Sequence, residues 1–188
     1  MKIILASQSP FRKHALDILG LKCEIIPSYV DESVIRHEEP DQLAIILAEA
    51  KCRKVAEIHK NAIIISADLF IVFNNNIFEK PKSKSEAKSM LNNFSGHPFK
   101  IISGLAVFNS KTEKLLLASE SCVVNFRVLS NFEIDDYISR YPVEKFAGAF
   151  DADGLLRFAE RIEGNYNFKA GLPVNRLIEF LRENNLKV

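Results

Sequence analysis

The chain has 188 residues, of which 47% are hydrophobic and 26% are charged, with only 7 glycines and 7 prolines. This composition predicts one globular domain over residues 1–188 and excludes disordered, collagen-like and low-complexity classes. Lys and Arg together number 25 and Asp and Glu 24, so the net charge of +1 gives no basic field for nucleic acid or an anionic membrane.

Strand-like and helix-like segments alternate along the chain, and capping signals mark several helix starts. Strands are predicted over apolar runs at 2–6, 23–27, 62–67, 70–73, 77–78, 99–109 and 115–129. Helices are predicted over 10–19, 40–59, 84–93, 131–139 and 174–184. In the first helix Ser9 caps the N-terminus, Pro10 takes the first position and Gly20 follows the last turn. Early βα units together with a long hairpin imply a mixed-sheet α/β protein rather than a purely parallel one.

The cysteines and apolar runs indicate a location. The 3 cysteines are odd in number and far apart, which fits neither a disulfide framework nor a paired metal-ligand spacing and favours a reducing cytoplasm. The longest apolar region, Ala62–Phe73, is interrupted by Ser66 and Asp68 and is too short to span a bilayer. We therefore expect a cytoplasmic protein with no membrane partner and no nucleic-acid partner.

The segment from Ser7 to Lys13, between the first strand and the first helix, is the first candidate site. The N–H groups of a helix start, two hydroxyls and two cations within one turn form a local site for phosphate. The segment lacks the glycine spacing of a P-loop or a dinucleotide fingerprint. An ordinary helix cap followed by solvated basic residues is therefore the alternative.

The second candidate is Asp68, a carboxylate inside an apolar run. A buried charge must be paired, bound to a metal or held at a strand end facing a cleft. Glu32 and Asp68 could share a divalent cation such as Mg²⁺ while Lys80 binds phosphate. The alternatives are that Asp68 caps a turn between two strands and that Glu32 and Lys80 are solvated. No GxSxG elbow or HExxH spacing is present, so metal-assisted attack by water is the enzyme interpretation.

Colinear motifs extend nearly from end to end of the chain. In order they are Ser7-x-Ser9-Pro10-x-Arg12, Asp31-Glu32, Ala48-x-x-Lys51, Ala67-Asp68, Lys80-Pro81, Ser95-Gly96, Ala147-Gly148-Ala149-Phe150, Arg161-Ile162-Glu163-Gly164 and Gly171-Leu172-Pro173. In this order and spacing the chain resembles the Maf family of nucleoside triphosphate pyrophosphatases. The resemblance implies a mixed twisted sheet with flanking helices and a deep cleft, similar to the inosine triphosphate pyrophosphatases. It also implies hydrolysis of a nucleoside triphosphate to the monophosphate and pyrophosphate, a housecleaning reaction.

The same resemblance assigns roles to individual residues. The family's catalytic proton acceptor falls on Asp68, and Glu32 joins it as a ligand of a divalent metal, Mg²⁺ or Mn²⁺. The resemblance implies that hydroxyl groups and cations at matching positions bind the substrate phosphates, namely those of Ser7, Ser9, Arg12, Lys13, Lys51 and Lys80. A homodimer would accord with the family.

Three positions bear on the nucleobase: Phe11, Leu69 and Asp153. Family members resembling the dTTP/UTP enzymes carry Arg, Thr and Gln there, and those resembling the 7-methyl-GTP enzymes carry an aromatic residue, Gln and Glu. Phe11 and Asp153 match the second group by type, because an aromatic face stacks on a cationic purine and a carboxylate accepts from the guanine edge. We therefore predict 7-methyl-GTP as the preferred substrate, with dTTP/UTP or broad specificity as the alternative.

Two further alternatives stay open from the sequence. Phe11 could pack on the first helix and Asp153 could cap the turn at Gly154, which would leave Phe146 and Phe150 to stack on the base. A nucleotide-binding, division-linked protein without turnover is the other class. The acidic and basic residues at the matched positions argue for an enzyme.

Overall fold

The computed structural model describes residues 1–165 and 169–188. In this part of the chain one sheet has the strand order β2-β1-β3-β5-β6-β7, with β4 paired to β3. Its strands are β1 (Lys2–Leu5), β2 (Glu24–Ile25), β3 (Ala62–Phe73), β4 (Asn76–Phe78), β5 (Pro98–Asn109), β6 (Lys114–Phe126) and β7 (Ala159–Gly164). The α-helices are α1 (Pro10–Ile18), α2 (Pro40–Ala56), α3 (Lys84–Phe94), α4 (Asn131–Arg140), α5 (Ala152–Phe158) and α6 (Val174–Glu183).

Strand directions make the sheet mixed. Strand β1 pairs in parallel with β2 and β3, whereas β4 is antiparallel to β3 and β7 is antiparallel to β6. Parallel pairs need crossover helices and antiparallel pairs need only turns, so βα units and hairpins occur together. The predicted mixed α/β fold with flanking helices is confirmed.

The hairpin between β3 and β4 turns at two of three consecutive asparagines. Asn74 and Asn75 both have positive φ, at 49° and 61°. Two successive left-handed residues produce the turn whose twist matches paired strands, and asparagine tolerates that conformation. Hydrogen bonding then pairs Phe73 with Asn76.

Two elements differ from the prediction. The runs 62–67 and 70–73 form one continuous strand, β3, so Asp68 lies inside a strand and does not cap a turn. Helix α5 and strand β7 were not predicted. Strand β7, with the sequence AERIEG, pairs with β6 but has no buried residue. It therefore lacks the apolar face by which a strand is predicted from sequence.

The described residues cluster into two compact units. One unit comprises Met1–Leu69, Ser103–Glu120 and residues 169–188, and the other comprises Phe70–Ile102 and residues 121–165. Strands β3, β5 and β6 contribute residues to both units. The single domain and the deep cleft stay predictions.

In the first unit the sheet is covered on both faces. Leu5, Ile63 and Ile65 pack with residues of α1 and α6, whereas Ile4 and Ile64 pack with residues of α2. Successive strand residues point to opposite faces, so the continuous apolar runs of β1 and β3 supply both layers.

In the second unit aromatic rings form the core. Phe94 is fully buried and its ring centroid lies 4.7 Å from that of Phe99 and 5.1 Å from that of Phe78. Phe126 and Phe150 complete the cluster with centroids 5.3 Å apart. Because Phe150 is a core residue, it is placed to pack rather than to stack on a base. No helix of the described residues is long and apolar enough to cross a membrane.

Candidate active site

The loop between β1 and α1 forms the cap that the sequence predicts. Ser9 caps α1, its Oγ accepting from the N–H of Arg12 at 3.5 Å, and Pro10 is the first helical residue. Ser7 Oγ accepts from the N–H of Ser9 at 3.2 Å and from Nη1 of Arg12 at 3.1 Å. Two hydroxyls, the start of a helix and one guanidinium therefore converge within a single turn, which is the donor set that an anion requires.

The Arg12 side chain is fixed from two directions. In addition to its bond to Ser7, its Nε donates to the carbonyl oxygen of Gly171 at 2.9 Å. Burial lowers the pKa of the Arg12 guanidinium, and the negative charges of Asp68 and Glu32 act in the opposite direction. An arginine stays protonated at neutral pH under such a shift, so Arg12 is a permanent cation near two carboxylates.

A lysine bridges those two carboxylates. Lys51 Nζ lies 2.6 Å from Asp68 Oδ1 and 3.0 Å from Glu32 Oε1. Lys51 is 7% exposed and Asp68 is 8% exposed, whereas about half of the Glu32 side chain is exposed. Asp68 is therefore a buried charge with a partner, as the sequence requires, and the three residues are brought together from three separate segments of the chain.

Strand periodicity explains why Asp68 faces Lys51. In β3 the side chains of Ala62 and Ile64 belong to the layer that packs against α2, and Ser66 and Asp68 continue the same alternation. Lys51 lies on the inner side of α2 and is buried there. The same face of one strand therefore changes from apolar to polar where it meets the lysine.

Polar contacts and a glycine bring α2 close to the sheet. Ser66 Oγ donates to the carbonyl oxygen of Ala48, and the Sγ of Cys52 lies 3.2 Å from Ser66 Oγ. On β5, a Cβ added to Gly104 would lie 2.2 Å from the carbonyl oxygen of Ala44. Only glycine permits so close an approach of helix backbone to strand, so Gly104 helps to set the position of Lys51.

Three of the remaining predicted residues belong to the first unit. Lys13 pairs with Asp17 on the surface of α1, which raises the pKa of Lys13 through that hydrogen bond. Phe11, on α1, is 45% exposed and therefore does not pack fully on its helix. Leu69 is half-buried in the first unit, following Asp68 in β3.

Lys80 and Asp153 belong to the second unit, and both are exposed. The proposal that Asp153 caps the Gly154 turn is wrong, because Asp151 is the N-cap of α5 and its Oδ1 accepts from the N–H of Gly154 at 2.8 Å. Asp153 lies in the first helical turn, where a negative charge is favourable.

Asp68 and Glu32 fit a hard cation only in part. The described residues contain no group of three or more His, Cys, Asp and Glu side chains placed to hold a metal. Each of the two carboxylates has a second oxygen besides the one that Lys51 engages. Because Mg²⁺ commonly takes one or two carboxylates together with substrate phosphates, two acidic ligands suit it once a polyphosphate is bound.

Sequence reasoning did not identify Gly104, Ser66 or the carbonyl of Gly171 as contributors to the site. Ser66 interrupts an apolar run two residues before Asp68, which marks it as facing the same side. Nothing in the sequence links Gly171 to Arg12, because the two residues are separated by 159 positions.

Together these features define a class of protein: an α/β fold that carries a serine-capped helix start next to a buried carboxylate bridged by a lysine. A family model described as Maf-like protein matches residues 2–184. The chain belongs to the Maf family, which confirms the resemblance read from its motifs.

Two similar relatives are both named dTTP/UTP pyrophosphatase. The protein from Bacillus anthracis is 36% identical over 189 aligned positions, which cover 100% of this chain and 97% of the relative. The protein from Aquifex aeolicus is 38% identical over 188 positions, covering 99% and 97%. These names correspond to the alternative substrate class rather than to the predicted 7-methyl-GTP class.

A solved structure, that of the Staphylococcus aureus Ham1 protein, has a similar fold. The TM-score is 0.56 with 13% identity, and the match covers 98% of this chain and 100% of the Ham1 chain. This likeness confirms the mixed α/β fold predicted from the sequence.

Proposed function

We propose that the chain hydrolyses a nucleoside triphosphate to the monophosphate and pyrophosphate. The observation that carries the proposal is the buried Asp68 carboxylate, held by Lys51 and electrostatically coupled to Arg12 of the phosphate-binding loop. Parallel pairing of Leu5 with Ile65 supports the proposal. The loop that begins at Ser7 follows Leu5 and Asp68 follows Ile65, so both lie beyond the paired residues in the same direction. The enzyme class predicted from the sequence, a nucleoside triphosphate diphosphatase, is that of the named relatives.

The triphosphate binds at the start of α1. Hydroxyl groups of Ser7 and Ser9 and the Arg12 guanidinium supply donors there, and Arg12 is already oriented by the Gly171 carbonyl. A guanidinium held at two of its nitrogens loses little freedom when it binds phosphate. Lys13 contributes to the phosphates as predicted from the family motif, and the same role for Lys80 stays a prediction from the sequence.

Asp68 accepts a proton from the attacking water. The water oxygen forms a bond to the α-phosphorus, the bond from that phosphorus to the bridging oxygen breaks, and pyrophosphate leaves. Burial suits a general base because it keeps bulk water away from the carboxylate. A positioned general base contributes about 10²- to 10⁴-fold to the rate.

Asp68 and Glu32 are the residues that would hold a divalent cation, Mg²⁺ or Mn²⁺. When bound there, the cation supplies positive charge to the triphosphate and to the departing pyrophosphate. The half-exposed Glu32 carboxylate can turn toward such a cation at less cost than the buried Asp68 carboxylate.

The preferred substrate is dTTP or UTP. Full-length similarity to relatives named for these two nucleotides supports this substrate class better than the 7-methyl-GTP preference predicted from three residues. Residues Phe11, Leu69 and Asp153 do not match the Arg, Thr and Gln of the dTTP/UTP group. A preference for dTTP or UTP therefore requires that a different set of side chains recognise the base.

A second candidate substrate is 7-methyl-GTP, and specific residues favour it. Phe11 projects from the phosphate-binding helix with 45% of its surface exposed, so its ring is available for stacking on a cationic purine. Asp153 is an exposed carboxylate of the second unit, and its role at the guanine edge stays a prediction from the sequence.

Pyrophosphate release from dTTP, UTP, CTP, GTP and 7-methyl-GTP with Mg²⁺ tests both the reaction and the base. We expect turnover of dTTP and UTP, and a loss of about 10²-fold or more in kcat for Asp68→Asn. Asp135→Asn is the matched control, because Asp135 is an exposed carboxylate paired with Lys88 in the second unit.

Each outcome of this assay has a distinct meaning. Turnover confined to 7-methyl-GTP, reduced by Phe11→Ala, would replace the dTTP/UTP assignment with the second candidate. An active Asp68→Asn variant would refute the general-base role. No turnover of any nucleotide, with nucleotide binding retained, would leave a binding protein. A cytoplasmic location and a homodimer stay predictions from the sequence.

A further inference from the structure

The charges around Asp68 are balanced by the protein itself. Asp68 and Glu32 supply two negative charges, and Lys51 and Arg12 supply two positive charges. Three of these groups are in direct contact through the Lys51 ammonium, and the Arg12 guanidinium senses both carboxylates. The cluster therefore has no net charge to attract a free cation.

Lys51 also takes the position that a shared cation would need. Its ammonium lies within hydrogen-bond distance of one oxygen from each carboxylate, at 2.6 Å and 3.0 Å. A metal ligated by Asp68 and Glu32 would lie about 2 Å from oxygens of the same two groups. An ammonium and a divalent ion cannot both occupy the space between the carboxylates without strong repulsion.

From this geometry we propose that Lys51 is a resident counter-cation that competes with the divalent metal for Asp68 and Glu32. The metal alone binds weakly, because it must either displace the buried ammonium or lie close to it on the second carboxylate oxygens, and it adds two positive charges to a neutral cluster. The proposal makes Lys51 a positioning residue for the metal ligands before substrate arrives.

The arrival of a triphosphate changes this balance. This step rests on the proposed function, in which the phosphates bind at the start of α1. The negative charges of the triphosphate offset the positive charges of the metal. Its phosphate oxygens give the Lys51 ammonium new partners, so Lys51 moves from the carboxylates to the phosphates. Metal and nucleotide therefore bind cooperatively, and the predicted phosphate-binding role of Lys51 begins only when both are present.

The test measures Mn²⁺ binding in the absence of any nucleotide, by electron paramagnetic resonance of the free ion. The variants are Lys51→Met, which removes the ammonium with little change of length, and Lys51→Arg, which keeps the charge. We expect the Kd for Mn²⁺ to fall by about tenfold or more in Lys51→Met and to stay near the wild-type value in Lys51→Arg. Mn²⁺ should also raise the Tm of Lys51→Met more than that of the wild type.

A Lys51→Met variant that binds Mn²⁺ no more tightly than the wild type would overturn the proposal. Should this variant fail to fold, Lys51→Gln retains an amide donor for Asp68 and supports the same comparison. Because the measurement contains no nucleotide, its result is independent of turnover. If Lys51→Met binds Mn²⁺ more tightly but the wild type releases no pyrophosphate, only the proposed function is refuted. If the wild type releases pyrophosphate but Lys51→Met binds Mn²⁺ no more tightly, only the competition is refuted.

Discussion

Replacing Gly104 with alanine tests whether the close contact of α2 with β5 positions Lys51. An added Cβ would lie 2.2 Å from the carbonyl oxygen of Ala44 and 2.8 Å from the backbone nitrogen of Ile45. Non-bonded heavy atoms are comfortable at about 3.5 Å, so the helix backbone must move away by about 1 Å. Backbone atoms cannot rotate aside as the end of a flexible side chain can.

Two effects follow from that movement. Overpacking of a core costs about 1–3 kcal/mol, and here the upper end applies because the collision is with a helix backbone. Lys51 lies about two helical turns beyond Ala44 on the same helix, so its ammonium shifts with the helix. A misplacement of about 1 Å in a catalytic site lowers activity by about 100-fold.

Urea unfolding and pyrophosphate release measure the two effects separately. Gly20→Ala is the matched control, because Gly20 has a φ of +71° but no atom within 4 Å of an added Cβ. We expect it to lose about 1–2 kcal/mol from backbone strain alone and to keep its activity. A Gly104→Ala variant that matches the wild type in both stability and kcat/KM would refute the role of this contact.

Three other predictions concern separate parts of the chain. Gly154→Ala should lower the free energy of unfolding by about 1–3 kcal/mol in urea titrations, because its Cβ would lie 2.2 Å from the Tyr137 hydroxyl; unchanged stability would contradict this. A hydrogen bond from Arg127 lowers the pKa of Glu133 from 4.5 to about 2. The stabilisation by the Glu133 carboxylate is therefore complete above the pKa that Glu133 has in the unfolded chain, and it is lost as the pH falls toward 2. Glu133→Gln should therefore unfold at lower urea than the wild type near neutral pH, and a difference that persists at the acid limit would count against the ion pair. Among the cysteines only Cys23 is partly exposed, so mass spectrometry should find iodoacetamide on Cys23 first, and equal labelling of the two buried cysteines in folded protein would contradict the structure.

Local chemistry explains why much of the fold is predictable from the sequence. Ser9 and Pro10 start α1, Gly20 follows its end, and consecutive asparagines form the β3–β4 turn, because each of these effects depends only on neighbouring residues. Where such a local signal was absent, prediction failed. Strand β7 has no buried side chain to reveal it, and Asp68 suggested a break in a strand that continues through it.

The sequence by itself determined the family, the capped start of α1 and the need of Asp68 for a partner, since a charge within an apolar run is too costly to leave alone. Only the tertiary structure decided that this partner is Lys51, that Glu32 shares it, and that the Gly171 carbonyl orients Arg12. The physical reason is distance along the chain. These contacts join segments that are adjacent only after α2 packs on the sheet, and that packing depends on the backbone approach at Gly104, which no local pattern encodes.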